Sequence, residues 1–366
     1  MAITNNLPKK LNQIIKEDLE KINGADLPWE KLRNKKILVT GGAGFLASYL
    51  VQALLAAGRK HSLNCEVICV VRNLKSAHKR YELYKNNPEL SIFQHDVALP
   101  IPSDFPSADF IIHSASQASP KYYGTDPVGT LRANSVGTMY LLEHAVKCAA
   151  QKFLFFSSGE VYGCPLESDR LIGEDHYGYL DPMNVRSCYA ESKRIGETMC
   201  VSWSKQYELN ASVVRPFHTY GPGMALDDGR VFADFVADVI AHRDIILKSD
   251  GAALRPFCYL ADATVGFLTV LLKGQISEAY NIGNPDAEIS IRDLAVLISK
   301  LFPERNIGTQ FRPRENNSVY MNSAISRANP DISKARALGW HPICNLQDGF
   351  SRTIQSFLDN EAWINK

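Results

Sequence analysis

The chain lacks a charge imbalance. Its 40 Lys and Arg face 39 Asp and Glu, a formal net charge of +1, so no basic excess exists to neutralise a run of backbone phosphates, and nucleic acid is not an expected partner. No run approaches the roughly 20 apolar residues that cross a bilayer. The N-terminus shows no charged segment leading into an apolar core and a small-residue cleavage site. No membrane partner and a cytoplasmic location are therefore expected. The eight cysteines (Cys65, Cys69, Cys148, Cys164, Cys188, Cys200, Cys258 and Cys344) contain no C-x-x-C pair. That excludes the common zinc and redox spacings, and the cysteines read as reduced thiols with no metal site. Internal repeats and low-complexity stretches are missing as well.

What is present is enough apolar residue, 45% of 366, to bury a large core. Residues 1–34 read as a helical extension, because Leu11, Ile14, Ile15, Leu19 and Ile22 recur at helical spacing among Lys and Glu. From Lys36, short β-branched runs (ILVT, EVICVV, IFQHDV, DFIIHSA, KFLFFSS) alternate with helical patterns such as Tyr49–Ala57 and Leu131–Ala149. This alternation predicts an α/β fold, a Rossmann-type doubly wound parallel sheet covered on both faces. A helix over Tyr189–Tyr207 and the strand ASVVRP follow, and then a Gly- and Pro-rich stretch from Tyr220 to Gly229. The expected organisation is a dinucleotide-binding domain over 35–215 and, over 216–366, mainly a smaller α/β substrate lobe closing on the sheet's carboxyl edge.

The strand ILVT runs into Gly41-Gly42-Ala43-Gly44-Phe45-Leu46-Ala47 and then a helix. In that setting glycines give a tight turn and let backbone N–H groups and a helix N-terminus approach a pyrophosphate. Ala47 stands at the third glycine position and is small enough for close helix packing. The second strand ends in Val71-Arg72-Asn73, where an acid for the adenosine ribose of NAD is usual. Arg72 reads equally as an exposed arginine or as a partner for the 2′-phosphate of NADP, so NAD is the expected cofactor with NADP left open. Asp96-Val97, after the third strand, fits an adenine contact or an ordinary turn.

Tyr189 and Lys193, spaced Y-x-x-x-K, fall on one face of a helix one turn apart. An ammonium beside a phenol favours the phenolate and is expected to lower the Tyr pKa toward the working range of a general base. Ser158, closing KFLFFSS, supplies a hydroxyl that can hold a substrate hydroxyl.

This order of Gly-rich turn, Ser and Tyr-x-x-x-Lys resembles the short-chain dehydrogenase/reductase superfamily over Lys36–Phe357. RPFHTYGPG (Arg215–Gly223) and AYNIGN (Ala279–Asn284) resemble its extended, nucleotide-sugar branch. Within that branch, Ala118–Thr138, SSGEVYG, VRSCYAESKR, GRVFADF and LRPFCYLAD are similar to the UDP-glucuronate decarboxylase family. The resemblance implies a redox-neutral enzyme that oxidises C4 of a nucleotide sugar with a bound nicotinamide cofactor, then decarboxylates and reduces. It implies catalytic places for Ser158, Glu160, Tyr189, Lys193 and Arg255, and cofactor contacts at Gly41, Gly44, Phe45, Leu46, Ala47, Arg72, Asp96, Val97, Ser114, Ala115, Tyr189 and Lys193. Substrate contacts fall on Tyr123, His218, Arg230 and Arg255, and a homodimer is implied.

Gly159 stands where that family has Ser, His218 where it has Asn, and Arg72 where it has an acid. Glu160 also fits the C5 base of a 4,6-dehydratase, while a 4-epimerase needs only the Tyr, Lys and Ser. His218 reads as a diphosphate ligand or as a hydrogen-bonding residue of its own loop. A catalytically silent dinucleotide binder would have no need of the Ser158, Tyr189 and Lys193 set.

Overall fold

A computed structural model describes residues 7–8, 10–164, 171–312 and 327–359. The β-branched runs form strands β1 (Lys36–Thr40), β2 (Glu66–Val71), β3 (Leu90–Gln94), β4 (Phe110–His113), β5 (Lys152–Phe156) and β6 (Ala211–Pro216). With Ala279–Ile282 they make a seven-stranded sheet, in which Ala279–Ile282 flanks β6 and the order continues β5-β4-β1-β2-β3. All its pairings are parallel. The order reverses between β1 and β4, and such a switch point leaves a crevice at the carboxyl ends of the strands. The sheet takes its last strand from beyond residue 215, so the chain returns from the smaller lobe to complete it.

Helix α1 (Gln13–Asn23) starts where Asn12 Oδ1 accepts from the Ile14 and Ile15 amides. Its apolar stripe, Ile14, Ile15, Leu19 and Ile22, is buried. α2 (Phe45–Lys60) follows the Gly-rich turn, α3 (Leu74–Arg80) follows β2, and α4 (Lys121–Thr125) follows β4. The continuous helix expected over Leu131–Ala149 is two helices, α5 (Pro127–Asn134) and α6 (Val136–Lys147). The break falls at Ser135, whose backbone (φ −109°, ψ −69°) departs from helical values.

α7 (Ser187–Tyr207) carries the Tyr-x-x-x-Lys pair. The smaller lobe is built on α8 (Val231–Ile240) and the helices Ile291–Lys300 and Leu346–Leu358, while α9 (Leu260–Lys273) packs on β5 and β6 and covers the main sheet. Asp18 ties the extension into the body. Fully buried, it accepts from Tyr49 of α2 at 2.6 Å, from Tyr259 at 2.7 Å and from Arg352 at 2.8 Å.

Candidate active site

A cleft of about 1160 Å³ opens at the carboxyl edge of the sheet. Every residue to which the sequence assigned a site role lines it: Gly41 and Gly44 to Ala47 of the turn, Arg72, Asp96, Val97, Ser114, Ala115, Tyr123, Ser158, Glu160, Tyr189, Lys193, His218, Arg230 and Arg255. They come from the ends of successive strands and from two segments of the smaller lobe, which is why one cleft collects residues more than 200 positions apart.

At one end, Gly41 has φ +67°, and a Cβ there would stand 2.8 Å from Ala115 Cα. Only glycine keeps the turn that close to the loop after β4. Gly44 is the N-cap of α2 with no side-chain cap, so the first-turn N–H groups are left for a ligand. Ser114 Oγ donates to the Thr40 carbonyl at 2.6 Å, and Thr40 Oγ1 accepts from the Ala115 amide at 3.2 Å, fixing the opposite wall. His95 Nε2 and Ser116 Oγ are buried along the same wall with no hydrogen-bond partner among the described residues. A glycine cradle, uncapped helix N–H groups and orphaned polar atoms together fit a dinucleotide. Asp96 Oδ1 accepts from the Ala98 amide at 3.0 Å, the role of a turn residue, and Arg72 is exposed at the rim.

At the other end, Ser158 starts a short 3₁₀ turn, Gly159–Tyr162, its Oγ accepting from the Glu160 amide at 3.2 Å. Its hydroxyl also stands near enough to the Tyr189 phenol to favour the phenolate. The expected lowering of the Tyr189 pKa is corrected here. Burial and the charge of Glu160 push it up to about 12, against the Ser158 hydroxyl and Arg230. Lys193 gives its Nζ to the Phe156 carbonyl at 2.7 Å, and burial brings its pKa down to about 7 despite Glu197. Both groups of the pair are held toward their neutral forms by a dry wall.

Tyr123 is buried behind that wall, its ring stacked on Tyr189 at 5.0 Å between centroids and its hydroxyl donating to the Ala118 carbonyl at 3.1 Å. Arg230 also reaches the Ala118 carbonyl, at 3.2 Å, and pairs with Asp228 at 3.6 Å. His218 Nδ1 is buried without a hydrogen-bond partner among the described residues, so it is not satisfied within its own loop. Burial, Arg255 and Arg230 bring its pKa down to about 3, leaving a neutral imidazole. The departure at Gly159 has a steric cause, because a Cβ there would meet the Phe217 ring at 2.9 Å.

Two site features escaped the sequence reading. Arg186 donates to Glu160 through its two terminal guanidinium nitrogens, at 3.0 and 3.4 Å. Glu197, one turn beyond Lys193, binds Arg215 at 2.9 and 2.6 Å. Arg186 lies in the VRSCYAESKR motif, three residues before Tyr189, so helical periodicity on α7 was the available signal. Glu197 lies four residues past Lys193 and carried the same signal. Among the described residues, no group of three His, Cys, Asp or Glu side chains is arranged to hold a metal, and no helix is long and apolar enough to cross a membrane.

Residues 37–283 match the model of the NAD dependent epimerase/dehydratase family. UDP-glucuronic acid decarboxylase 2 of Arabidopsis thaliana is 34% identical over 329 residues, which is 89% of this chain and 69% of that protein. UDP-glucuronic acid decarboxylase 1 of Danio rerio is 35% identical over 325 residues, 88% of this chain and 72% of that protein. The crystal structure of UDP-glucuronic acid 4-epimerase from Bacillus cereus, in complex with UDP-glucuronic acid and NAD, superposes with a TM-score of 0.74 at 25% identity, covering 88% of this chain and 99% of that one. With the glycine cradle, the Ser-Tyr-Lys set and the parallel sheet on one cleft, the chain belongs to the NAD dependent epimerase/dehydratase family of extended short-chain dehydrogenase/reductases.

Proposed function

We propose that the protein converts UDP-glucuronate to UDP-xylose and carbon dioxide, using a dinucleotide that stays bound between turnovers. The observation that carries this reading is the Glu160–Arg186 carboxylate–guanidinium pair in the same cleft wall as Ser158 and Tyr189. A 4-epimerase has no step at C5 that needs a proton carrier, whereas a reaction that removes a carboxylate and then reprotonates a neighbouring carbon needs both a cation and such a carrier. The decarboxylases at about a third identity support the same choice.

Tyr189 takes the proton of the sugar C4 hydroxyl while Ser158 holds the two oxygens in line. NAD, when bound, supplies the hydride acceptor and donor for C4 and, as a cation, favours the phenolate. The C4 ketone turns the C6 carboxylate into a β-keto acid. The C5–C6 bonding electrons pass into an enolate, carbon dioxide leaves, and C5 takes a proton that Glu160 relays from solvent. Arg255 orients the ring, His218 and Arg230 receive the diphosphate, and Tyr189 returns its proton to the C4 oxygen.

Incubation of purified protein with UDP-glucuronate, GDP-mannose and dTDP-glucose, followed by mass spectrometry, tests the reading. Loss of one carbon dioxide from UDP-glucuronate is expected. Loss of one water from a hexose nucleotide would replace the reading with a 4,6-dehydratase.

NAD is the cofactor we propose, and the observation favouring NADP is Arg72 at the adenosine rim beside Asn73 and Ser76. Identifying the dinucleotide released by denaturation separates the two. We also propose a homodimer through α5 and α7, supported by the exposure of Val128, Leu131, Ile195 and Val201 on those helices. Light scattering on the purified protein is the check.

A further inference from the structure

We infer that Arg186 is the residue that selects an acidic sugar, receiving the substrate carboxylate by exchanging it for the carboxylate of Glu160. The inference rests on the decarboxylase reading and adds a specificity residue to it. Five arginines line the cleft; Arg72 and Arg132 stand at the dinucleotide end, beside the segment Asp96 to Ala98, which leaves three nearer the reacting centre. Arg230 is committed to Asp228 and to the Ala118 carbonyl. Arg255 faces His218, at the end where an unsatisfied imidazole waits. Arg186 lies over the face of Tyr123, 5.7 Å from its centroid, and Tyr123 stacks directly on Tyr189. Of the three, Arg186 is thus the cation attached to the wall of the reacting centre.

Its side chain is 18% exposed and that of Glu160 29% exposed, so the pair faces the cleft. A guanidinium presents a planar fork to two carboxylate oxygens. The carboxylate at C6 of a glucuronate has the same shape and charge as that of Glu160 and can take its place on the fork without leaving the arginine unpaired. The exchange has two consequences. It places the leaving carboxylate against the wall that carries Tyr189, and it turns Glu160 away from its partner to face C5, where a proton is needed once carbon dioxide has gone. A neutral hexose has nothing to exchange, so the Glu160–Arg186 pair stays closed against it.

Binding constants separate this exchange from a purely structural pair. They are measured by calorimetry on the NAD-loaded Tyr189→Phe enzyme, which binds without turnover, using UDP-glucuronate and UDP-glucose. Arg186→Met is expected to weaken UDP-glucuronate by about 10- to 100-fold, the range of a charge-assisted hydrogen-bonded contact, and to leave UDP-glucose within about twofold. Arg186→Lys should recover part of the loss, because it keeps the charge and not the fork. Glu160→Gln removes the competing carboxylate and is expected to tighten UDP-glucuronate. If the pair were only structural, breaking it from either side would act alike. Equal weakening of both ligands by Arg186→Met, or weaker UDP-glucuronate binding in Glu160→Gln, overturns the inference. A parent enzyme that binds UDP-glucuronate no better than UDP-glucose removes the decarboxylase reading itself, a result distinct from the other two.

Discussion

Lys193 stands one turn from Tyr189 on α7, its Nζ 5.8 Å from the centroid of the phenol ring, and its hydrogen bond goes to the Phe156 carbonyl instead of the phenol oxygen. The hydroxyl that favours the phenolate is that of Ser158. On the decarboxylase reading proposed above, proton transfer at C4 rests on Tyr189 with Ser158, and Lys193 contributes position and field. Tyr189→Phe should lower kcat by about 10²- to 10⁴-fold, the usual share of a general acid–base group, while the dinucleotide is still retained. Single-turnover kinetics with the bound dinucleotide monitored by absorbance gives both readings.

Lys193 also makes stability depend on pH. The unfolded chain holds this proton up to the ordinary value of 10.5, the folded chain only to about 7. Between those values the unfolded state binds more protons, so stability rises with pH across the window, and below about 7 the cost of the buried ammonium is carried in full. Lys193→Met should therefore raise Tm relative to the parent more at about pH 6 than at about pH 10, by on the order of a few kcal/mol of stability. A Tm difference that does not change with pH would contradict this.

Glu197 and Arg215 form a pair with side chains only 14% and 8% exposed, extended by Tyr162, whose hydroxyl accepts from Arg215 at 2.8 Å. Removing one partner leaves a buried uncompensated charge. Glu197→Gln is expected to cost about 3–5 kcal/mol in urea unfolding. The same change withdraws the charge that favours protonated Lys193, so the lower edge of the Lys193 pH window should move further down while its upper edge stays at the unfolded value.

Asp18 is the acceptor shared by Tyr49, Tyr259 and Arg352, and it has no exposed surface. Asp18→Ala should destabilise the protein by about 3–5 kcal/mol and free α1 for proteolysis at concentrations of protease that leave the parent intact. Unchanged protection of the N-terminal helix would mean that the apolar stripe alone holds it.

Gly41→Ala forces a side chain onto a positive φ and against the Ala115 backbone. The strain is about 1–3 kcal/mol, and its relief must open the cradle. We expect loss of bound dinucleotide, read from the absorbance of the purified protein, at a smaller loss of thermal stability.

Much of this was legible in the chain itself. Alternating β-branched runs and helical stripes determined a parallel sheet with helices on both faces, because each pattern can bury its apolar side in only one kind of layer. The glycine turn, Ser158, Tyr189 and Lys193 were legible for a related reason: their chemistry depends on local spacing, a tight turn or one helical step. Tertiary structure decided what depends on burial and on partners distant in sequence. It set the direction of the Tyr189 pKa, opposite to the expectation from Lys193 alone, because the cost of charging a group depends on the solvent that packing excludes. It joined Arg186 to Glu160 across 26 residues, set Phe217 in the space a side chain at Gly159 would need, and made Asp18 the link between an N-terminal helix and the helix Leu346–Leu358. None of these follows from a local pattern, since each is a contact between side chains that only the folded chain brings within reach.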